Sequence, residues 1–443
     1  MMRSRIIPYS FFNEKFWIFI IGFFVTIVFS MLQIEHLFPF LVLSGGILLA
    51  AVIISSEARE EFDKIFFLFI IGLLIRVLAS YFLYSVMTVA QVDEKNRFFI
   101  EDGYNYSLNG WTIAMIWSKG VSVNLLDFVS RFGSASGTIS NYDFLNAVVY
   151  SAAGYSYFSM FFINCVAGSL AIVFIYLITS KMFSKTAAYF SAALCAFWPS
   201  FVLWSSQNLK DPITVLCALC FIYFLMKLKD NIKFSTMIFL PLSLAGLFYI
   251  RIALLVPLMI AAIIFFILSF KGNVFLKFIL FFLIASVIFN FFSQAFSSYF
   301  KAGILEELSA NRSVKAYGNL AYFSDFRFTS WWSLIKFLPL GLFAVWFCPF
   351  PWQIFSLNQL FAAPEIVAWY LLMPFAVKGF YLAVKNKLKD SYMPIAVILI
   401  SSIFLGFYEG NIGTLYRHKA IVTVLAFIFI SAGLNSREVV VKH

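Results

Sequence analysis

Long apolar segments recur along the whole chain and are separated by short polar loops. A helix needs about 20 predominantly apolar residues to cross the hydrocarbon core of a bilayer. These segments continue far beyond the first one, unlike a cleaved targeting peptide, and they do not alternate polar and apolar residues as barrel strands do. The pattern predicts an all-α polytopic membrane protein. The apolar segments lie near residues 16–33, 37–55, 64–90, 155–179, 186–204, 210–226, 233–250, 252–270, 274–296, 331–350, 365–384, 391–408 and 417–434.

Composition agrees with this pattern. Of the 443 residues, 62% are hydrophobic and 12% are charged, whereas about a quarter of the residues of an ordinary soluble domain are charged. The five cysteines all lie in apolar segments, and Cys217 and Cys220 form a CxxC motif inside one of them. No His or second Cys pair lies nearby, so we interpret this motif as core packing rather than as a zinc or redox site.

The Lys and Arg residues of the short loops give the chain an orientation. With a cytoplasmic N-terminus, the inner segments hold 18 cations and 8 carboxylates, whereas the outer segments hold 13 of each, and Arg76 lies inside a span. The formal charge of +11 therefore reflects membrane topology and not nucleic-acid binding. One segment breaks strict alternation: if 331–350 crossed fully, the cluster from Lys385 to Lys389 would lie outside. We therefore prefer a proline-rich segment 331–364 that re-enters and returns to the outer side. We predict 12 full spans, one re-entrant segment and cytoplasmic termini.

The first polar cluster on the outer side is Glu101-Asp102-Gly103-Tyr104, early in the long outer loop 91–150. Gly103 permits a tight turn that would direct a carboxylate at the membrane surface. The stretch that follows, with Trp and Tyr residues, is typical of an interfacial helix. The alternative interpretation is a solvated acidic turn.

The second cluster is Asn208-Leu209-Lys210-Asp211-Pro212, between two spans. Pro212 suits the first turn of the next helix, and either Asp211 or Asn208 could cap that helix. A cation beside a helix N-terminus makes a good anion site, which is our prediction for Lys210.

A third feature is Arg251, which occupies a tight outer turn between two apolar spans. A charge at membrane depth is costly and indicates function. The alternative is an arginine that snorkels to the interface.

The last cluster runs from Glu409 to Lys419 and joins the last two spans. Arg417, His418 and Lys419 are expected to open the final helix, where positive charge is unfavourable unless something compensates for it. A bound phosphate would compensate, and lipid headgroups are the alternative. The second long outer loop, 297–330, holds residues of both charges and aromatic residues. Such a composition is compatible with sugar binding, but it is not specific for it.

Together these clusters place a carboxylate opposite several cations on the outer side. Cations stabilise a phosphate leaving group, and a carboxylate can deprotonate an acceptor hydroxyl. This arrangement suits the transfer of a group from a lipid-linked phosphate.

The motifs resemble those of the GT-C superfamily of polytopic glycosyltransferases, in particular bacterial proteins of the glycosyltransferase 39 or protein O-mannosyltransferase type. An acidic residue followed shortly by Tyr in the first long outer loop is typical of that group. The motifs that carry the resemblance are Glu101-Asp102-Gly103-Tyr104, Phe197-Trp198-Pro199-Ser200, Asn208-Leu209-Lys210-Asp211-Pro212 and the turn from Gly410 to His418.

The resemblance implies a GT-C-like bundle of about 12–13 membrane helices in a bacterial inner (plasma) membrane, with an extracytoplasmic active face. It implies a polyprenyl-phosphate-linked sugar as donor, a glycan, lipid or protein as acceptor, and hexosyl or pentosyl transfer. Asp102 would be the general base, with Glu101 as the near alternative. No metal-ligand set or cofactor is predicted, although a divalent cation is left open. The substrate-binding residues would be Lys210, Asp211, Asn208, Arg251, Arg417, His418, Tyr104 and Glu409.

Three predicted spans precede the acidic loop where the family has one, so residues 1–60, which hold the two additional spans, are predicted to be an added N-terminal transmembrane hairpin. Residues 61–436 then form the catalytic domain. Two other functions stay open at this point. A polysaccharide polymerase or O-antigen ligase would use a diphosphate-linked glycan. A lipid-linked glycan flippase or transporter would carry polar residues along a path near the bilayer midplane.

Overall fold

The computed structural model describes residues 37–89, 101–120, 140–230, 234–269, 303–316, 320–324, 326–350, 353, 362–386 and 389–436. These residues form 16 α-helices, two short 3₁₀ turns and an isolated β-bridge between Ala321 and Asn411. The helices are α1 Leu37–Glu57, α2 Phe62–Val89, α3 Glu101–Ser118, α4 Asn141–Ala153, α5 Tyr157–Met182, α6 Lys185–Phe197, α7 Pro199–Ser205, α8 Asp211–Asp230, α9 Phe234–Ile250, α10 Ile252–Ser269, α11 Ile304–Lys315, α12 Trp331–Phe347, α13 Ala363–Lys385, α14 Tyr392–Tyr408, α15 Ile412–His418 and α16 Ala420–Leu434.

The prediction of an all-helical polytopic membrane protein is confirmed. Seven of the described helices are long and apolar enough to cross a membrane, and the number rises to nine if two bent helix pairs each form one span. The shorter apolar helices α9 and α12 match two further predicted segments. The predicted spans 16–33 and 274–296 lie outside the described residues. Most of the predicted N-terminal hairpin, residues 1–60, lies outside them as well.

Two predicted spans are broken rather than continuous. Helices α6 and α7 meet at an angle of 57°, and α15 and α16 at 55°. The first break lies at Trp198-Pro199, where proline cannot donate the backbone hydrogen bond that a continuous helix needs. The second break lies at Lys419. Both short helices, α7 and α15, lie at the same end of the bundle, which we call the site end.

Helix α5 forms the centre of the bundle, and 94% of its apolar window is buried inside the protein. It packs against α1, α2, α6 and α8. Gly168 permits this close packing, because a Cβ atom there would lie 2.5 Å from Ser205 Cβ and 2.8 Å from Arg76 Nε. The all-round burial explains why α5 is apolar on every face.

Ion pairs tie the helices together at the opposite end of the bundle. Glu57 pairs with Lys227, Asp390 with Lys229, and Glu61 with Lys185 at 2.9 Å. All of these residues fall in segments that the charge pattern assigns to the inner side. The grouping therefore agrees with the predicted topology, and the cytoplasmic assignment of this end stays a prediction.

Helix α12 packs at the site end of the bundle. Its middle lies against the last turns of α14, with a Cβ on Gly341 only 3.0 Å from Gly406 O. The carbonyls of Val345 and Cys348, at its C-terminal end, accept hydrogen bonds from Lys419 Nζ at 3.2 and 2.6 Å. The re-entrant course of 331–364 stays a prediction, because residues 351–352 and 354–361 lie outside the described part.

Arg76 is fully buried inside α2 and binds the broken end of α6. Its guanidinium donates to Ala196 O and Cys195 O at 3.1 Å each and to Ser205 Oγ at 2.8 Å. A helix C-terminus carries partial negative charge and carbonyls without helical partners, so a cation is favourable there. Arg76 therefore holds the kink between α6 and α7, and this structural role accounts for a charge inside a span.

We expect Arg76→Leu to destabilise the protein by about 2–4 kcal/mol, because it leaves buried carbonyl groups without hydrogen-bond donors. The thermal midpoint of the purified protein in detergent measures this effect. Lys64→Leu is the matched control, since the Lys64 side chain on the same helix is 70% exposed. Equal midpoints for the two variants would contradict the role given to Arg76.

Candidate active site

Helix α3 carries Asp102 in its first turn and lies on α4. The predicted tight turn at Gly103 is wrong, because Gly103 is buried within α3. Packing of α3 against α4 outweighs the low helix propensity of glycine. Gly110 contacts Asn146 so closely that a side chain there would clash. The prediction of a helix in this loop is confirmed, whereas the side chain of Glu101 lies outside the described residues.

A buried hydrogen-bond network fixes the segment that leads into α8. Asn208 Nδ2 donates to Asn146 Oδ1 at 2.7 Å and to Ser107 Oγ at 2.8 Å. Asn208 Oδ1 accepts from the Tyr142 hydroxyl at 2.9 Å, and Asn164 Nδ2 donates to Leu209 O at 2.8 Å. Asn208 is fully buried and its side-chain atoms bind Asn146, Ser107 and Tyr142, so it does not cap α8, and its role in substrate binding stays a prediction. The network joins α3, α4 and α5 and sets the position of the residues that follow it.

Alternating charges form a chain at the site end. Asp211, at the start of α8, contacts Arg251 through Oδ1 and Arg417 Nε through Oδ2, the latter at 3.2 Å. Arg417 Nη1 in turn lies 2.6 Å from Asp102 Oδ2. Pro212 occupies the first turn of α8 as predicted. Four segments far apart in sequence therefore meet in one ion-pair chain, in which Arg417 links Asp102 to Asp211.

Exposure differs sharply along this chain. The side chains of Asp211 and Arg417 are 2% and 8% exposed, whereas that of Asp102 is 45% exposed. Asp102 is thus the carboxylate that a substrate can reach. Asp211 is instead shielded. Its two arginine partners balance its buried charge, although its Oδ2 atom accepts no hydrogen bond from the described residues.

Lys210 lies beside the chain, with Nζ 5.7 Å from the centre of the Tyr106 ring. Among the described residues it forms no ion pair, so its charge is available to an anion. Burial and the nearby Arg251 guanidinium lower the pKa of Lys210 to about 8. Tyr104 is partly buried and packs against the main core.

The prediction that Arg417 and His418 open the final helix is wrong. They lie in the last turn of α15, because the helix axis breaks at Lys419. Cations are favourable at this C-terminal position. Asn411 is the N-cap residue of α15. Its Oδ1 accepts hydrogen bonds from Gly413 N at 2.8 Å and from Thr414 N at 3.3 Å.

Glu409 is fully buried, and three side chains contact its carboxylate. His418 Nδ1 lies 2.7 Å and Lys315 Nζ 3.0 Å from Oε1, and Thr414 Oγ1 donates to Oε2 at 3.2 Å. Burial opposes ionisation, but the imidazole and the ammonium group outweigh it and hold the pKa of Glu409 well below its ordinary value. Sequence reasoning missed Lys315 as a partner, because only the fold brings α11 to this loop.

Glu365 was also missed, and it forms a separate buried cluster at the start of α13. Its Oε1 accepts hydrogen bonds from Ser200 Oγ at 2.7 Å and from the Tyr416 hydroxyl at 2.6 Å. These contacts join α7, α13 and α15 behind Arg417. The sequence signal for this cluster was an acidic residue at the edge of an apolar segment. It was not sufficient, because Ser200 and Tyr416 lie 165 and 51 residues from Glu365 along the chain.

The described residues contain no group of three or more His, Cys, Asp or Glu side chains that could hold a metal ion. The carboxylates of Asp102, Asp211 and Glu409 are each paired with a cation instead. A role for a divalent cation is untested. The five cysteines are free, and those of the CxxC motif lie within α8.

Comparison with known proteins identifies one related family. Residues 142–296 match the family model of dolichyl-phosphate-mannose-protein mannosyltransferases, a GT-C family. The predicted resemblance is confirmed. The match covers about a third of the chain and includes Asn208, Lys210, Asp211 and Arg251, but not Asp102 or the 409–419 loop. It supports a membrane glycosyltransferase. No curated protein and no solved structure matches the chain.

Proposed function

We propose that the protein transfers a sugar from a polyprenyl-phosphate donor to an extracytoplasmic glycan, lipid or protein acceptor. The observation that carries this proposal is the ion-pair chain of Asp102, Arg417, Asp211 and Arg251, with Lys210 beside it. The matched family has a lipid-phosphate-linked sugar in its name. Asp102 acts as the base, and Arg417, Arg251 and Lys210 bind the phosphate.

The charge of the site fits an anionic donor. The ion-pair chain and its neighbour Lys210 together hold three cations, Lys210, Arg251 and Arg417, and two carboxylates, Asp102 and Asp211. The excess of positive charge favours a lipid-linked phosphate, and it fits a monophosphate as well as the diphosphate donor of a polymerase or ligase.

Donor binding also resolves an apparent conflict at Asp102. Asp102 Oδ2 lies 2.6 Å from Arg417 Nη1, so this carboxylate oxygen is not free to accept a hydroxyl proton while the pair is intact. A donor phosphate competes for the same Arg417 nitrogen and releases Asp102 as it binds. The exposed carboxylate then becomes available only when the donor is in place.

The transfer step follows from these positions. The acceptor hydroxyl attacks the anomeric carbon, the bond from that carbon to the phosphate oxygen breaks, and the hydroxyl proton passes to Asp102. The electron pair of the broken bond stays on the lipid phosphate, which gains one negative charge. Arg417, Arg251 and Lys210 stabilise this charge, while protonation of Asp102 removes one negative charge from the site.

A donor panel tests the proposal. The purified protein is incubated with polyprenyl-phosphate sugars and with a polyprenyl-diphosphate sugar, each with candidate acceptors, and the products are identified by mass. We expect free polyprenyl phosphate and a glycosylated acceptor from a monophosphate donor. Turnover of the diphosphate donor alone would favour a polymerase or ligase and contradict the proposal.

The pKa of Lys210 predicts a pH dependence of donor binding. Lys210 is charged below about pH 8 and neutral above it, so donor affinity should fall about tenfold as the pH rises from about 7 to about 9.5. The donor KM measured across this range checks the prediction. In Lys210→Arg the charge persists at high pH, and this fall should disappear. The same fall in Lys210→Arg as in wild type would show that another group titrates.

A further inference from the structure

We propose that Glu409 and His418 are positioning residues that hold the Arg417 guanidinium in place for the donor phosphate. In this view they act through Arg417 and do not touch the donor. This inference rests on the proposed function, because Arg417 is taken there as a phosphate ligand. It differs from the expectation from sequence, in which both residues bind substrate directly.

Glu409 is unable to serve as a substrate ligand in this arrangement. Its side chain is 0% exposed, and His418, Lys315 and Thr414 already occupy both carboxylate oxygens. A buried carboxylate with this many partners is costly to uncover. Its effect must therefore pass through one of the groups that it contacts.

The contact with His418 sets the chemical state of that imidazole. Nδ1 donates its hydrogen to Glu409, so the neutral ring presents Nε2 as an acceptor. Nε2 lies 3.4 Å from Arg417 Nη2. A carboxylate that orients a histidine so that its other nitrogen meets a functional group is a common supporting arrangement.

The three nitrogens of the Arg417 guanidinium have different contacts. Nη1 lies 2.6 Å from Asp102 Oδ2, and Nη2 forms a hydrogen bond of 3.4 Å with His418 Nε2. Nε lies 3.2 Å from Asp211 Oδ2, which is an ion pair without a hydrogen bond. When a phosphate displaces Asp102 from Nη1, the hydrogen bond with His418 still orients the guanidinium, and His418 thus keeps the phosphate ligand preorganised during turnover.

Helix α11, in the second long outer loop 297–330, contacts Glu409 and the loop before α15. Lys315, at the end of α11, neutralises Glu409, and Arg312 on the same helix donates to Tyr322 O at 3.0 Å and also contacts Glu409 O. Gly410 lies against Arg312 O, and a Cβ atom there would lie only 2.5 Å away. The loop before α15 is therefore clamped by α11, which connects the second outer segment to the phosphate site.

Two near-isosteric variants of His418 test the inference. Glutamine can present an oxygen near the position of Nε2, whereas asparagine can reach only the position of Nδ1. We expect His418→Asn to raise the donor KM about tenfold, the size of a lost charge-assisted hydrogen bond, with kcat changed less than about threefold. His418→Gln should have a KM between those of wild type and His418→Asn, because glutamine keeps the contact with Arg417 but loses the contact with Glu409. An unchanged KM in His418→Asn, or a loss confined to kcat in both variants, would overturn the inference.

A double-mutant cycle separates positioning from direct contact and needs no turnover. Binding of a short-chain polyprenyl phosphate is measured for wild type, His418→Asn, Arg417→Lys and the double variant, with the melting temperature of each as a folding control. If His418 acts through Arg417, His418→Asn should weaken binding about tenfold in the wild-type background and less than about twofold in Arg417→Lys. Equal weakening in both backgrounds contradicts the inference while leaving the proposed function intact. Absence of lipid-phosphate binding by the wild-type protein would instead defeat the proposed function itself.

Discussion

Replacing Asp102 with asparagine is expected to lower the rate of sugar transfer about 10²–10⁴-fold, the usual contribution of a general base. Asparagine keeps the shape of the side chain but does not accept the hydroxyl proton. The variant should insert and fold normally, because Asp102 is 45% exposed and makes one ion pair in the described structure. Transfer is measured with purified protein and a polyprenyl-phosphate sugar, and folding by the melting temperature in detergent.

The same substitution should strengthen lipid-phosphate binding by up to about tenfold. In the wild-type protein Asp102 competes with the phosphate for Arg417 Nη1, and asparagine removes that competing charge. Tighter lipid-phosphate binding together with lost sugar transfer would show that Asp102 is a base that the donor displaces from Arg417. A residue that binds the donor would instead lose affinity when it is replaced. Weaker binding would assign Asp102 to substrate binding, and full transfer activity would contradict its catalytic role.

A matched control exists for Asp102→Asn. Glu306 is an exposed carboxylate on α11, outside the ion-pair chain. Glu306→Gln removes one negative charge from the second outer segment and should leave both transfer and lipid-phosphate binding within about twofold of wild type, because exposed charges are screened. A comparable loss in both variants would show that overall surface charge, and not the site, controls activity.

Replacing Arg417 with glutamine is expected to have the second large effect, a fall in transfer of about 10²–10³-fold. Removing one preorganised donor to a developing negative charge costs roughly this much, and Arg417 also bridges Asp102 and Asp211. Donor KM and kcat should both deteriorate, because the residue contacts the phosphate before and during transfer. Steady-state kinetics with varied donor measure both quantities.

Arg417→Lys separates charge from geometry. Lysine keeps one positive charge but lacks the planar fork that addresses several partners at once, so its activity should lie between those of wild type and Arg417→Gln. Arg327→Gln serves as the control for lost positive charge, because Arg327 is exposed and lies outside the chain. If Arg417→Gln kept wild-type kinetics, the phosphate would have to bind elsewhere.

The sequence was sufficient to predict much of the fold and the grouping of the site. Apolar length and loop charge placed Asp102, Lys210, Arg251 and Arg417 on one side, and the structure brings them together at one end. This worked because the bilayer sorts residues by depth and side, which are properties of single segments. The position of Pro212 at the start of α8 followed in the same way from local backbone chemistry.

The features that could not be predicted depend on partners distant in sequence. Gly103 is buried within α3, which as a whole packs on α4, and the break at Lys419 places Arg417 at a helix C-terminus. Glu365 and Lys315 looked like isolated charges until the fold supplied Ser200 and Glu409. No local pattern encodes such pairings, because they are set by how whole helices pack.

We propose that this protein breaks a polyprenyl-phosphate-sugar bond and that Asp102 serves as the base. Both steps are followed by mass after wild type and Asp102→Asn, each reconstituted in liposomes, are incubated with donor and acceptor. We expect equal amounts of glycosylated acceptor and free polyprenyl phosphate from the wild-type protein, and almost none of either from the variant. Equal product from both proteins would contradict the role of Asp102, and no cleavage of any monophosphate donor by the wild-type protein would contradict the proposed function.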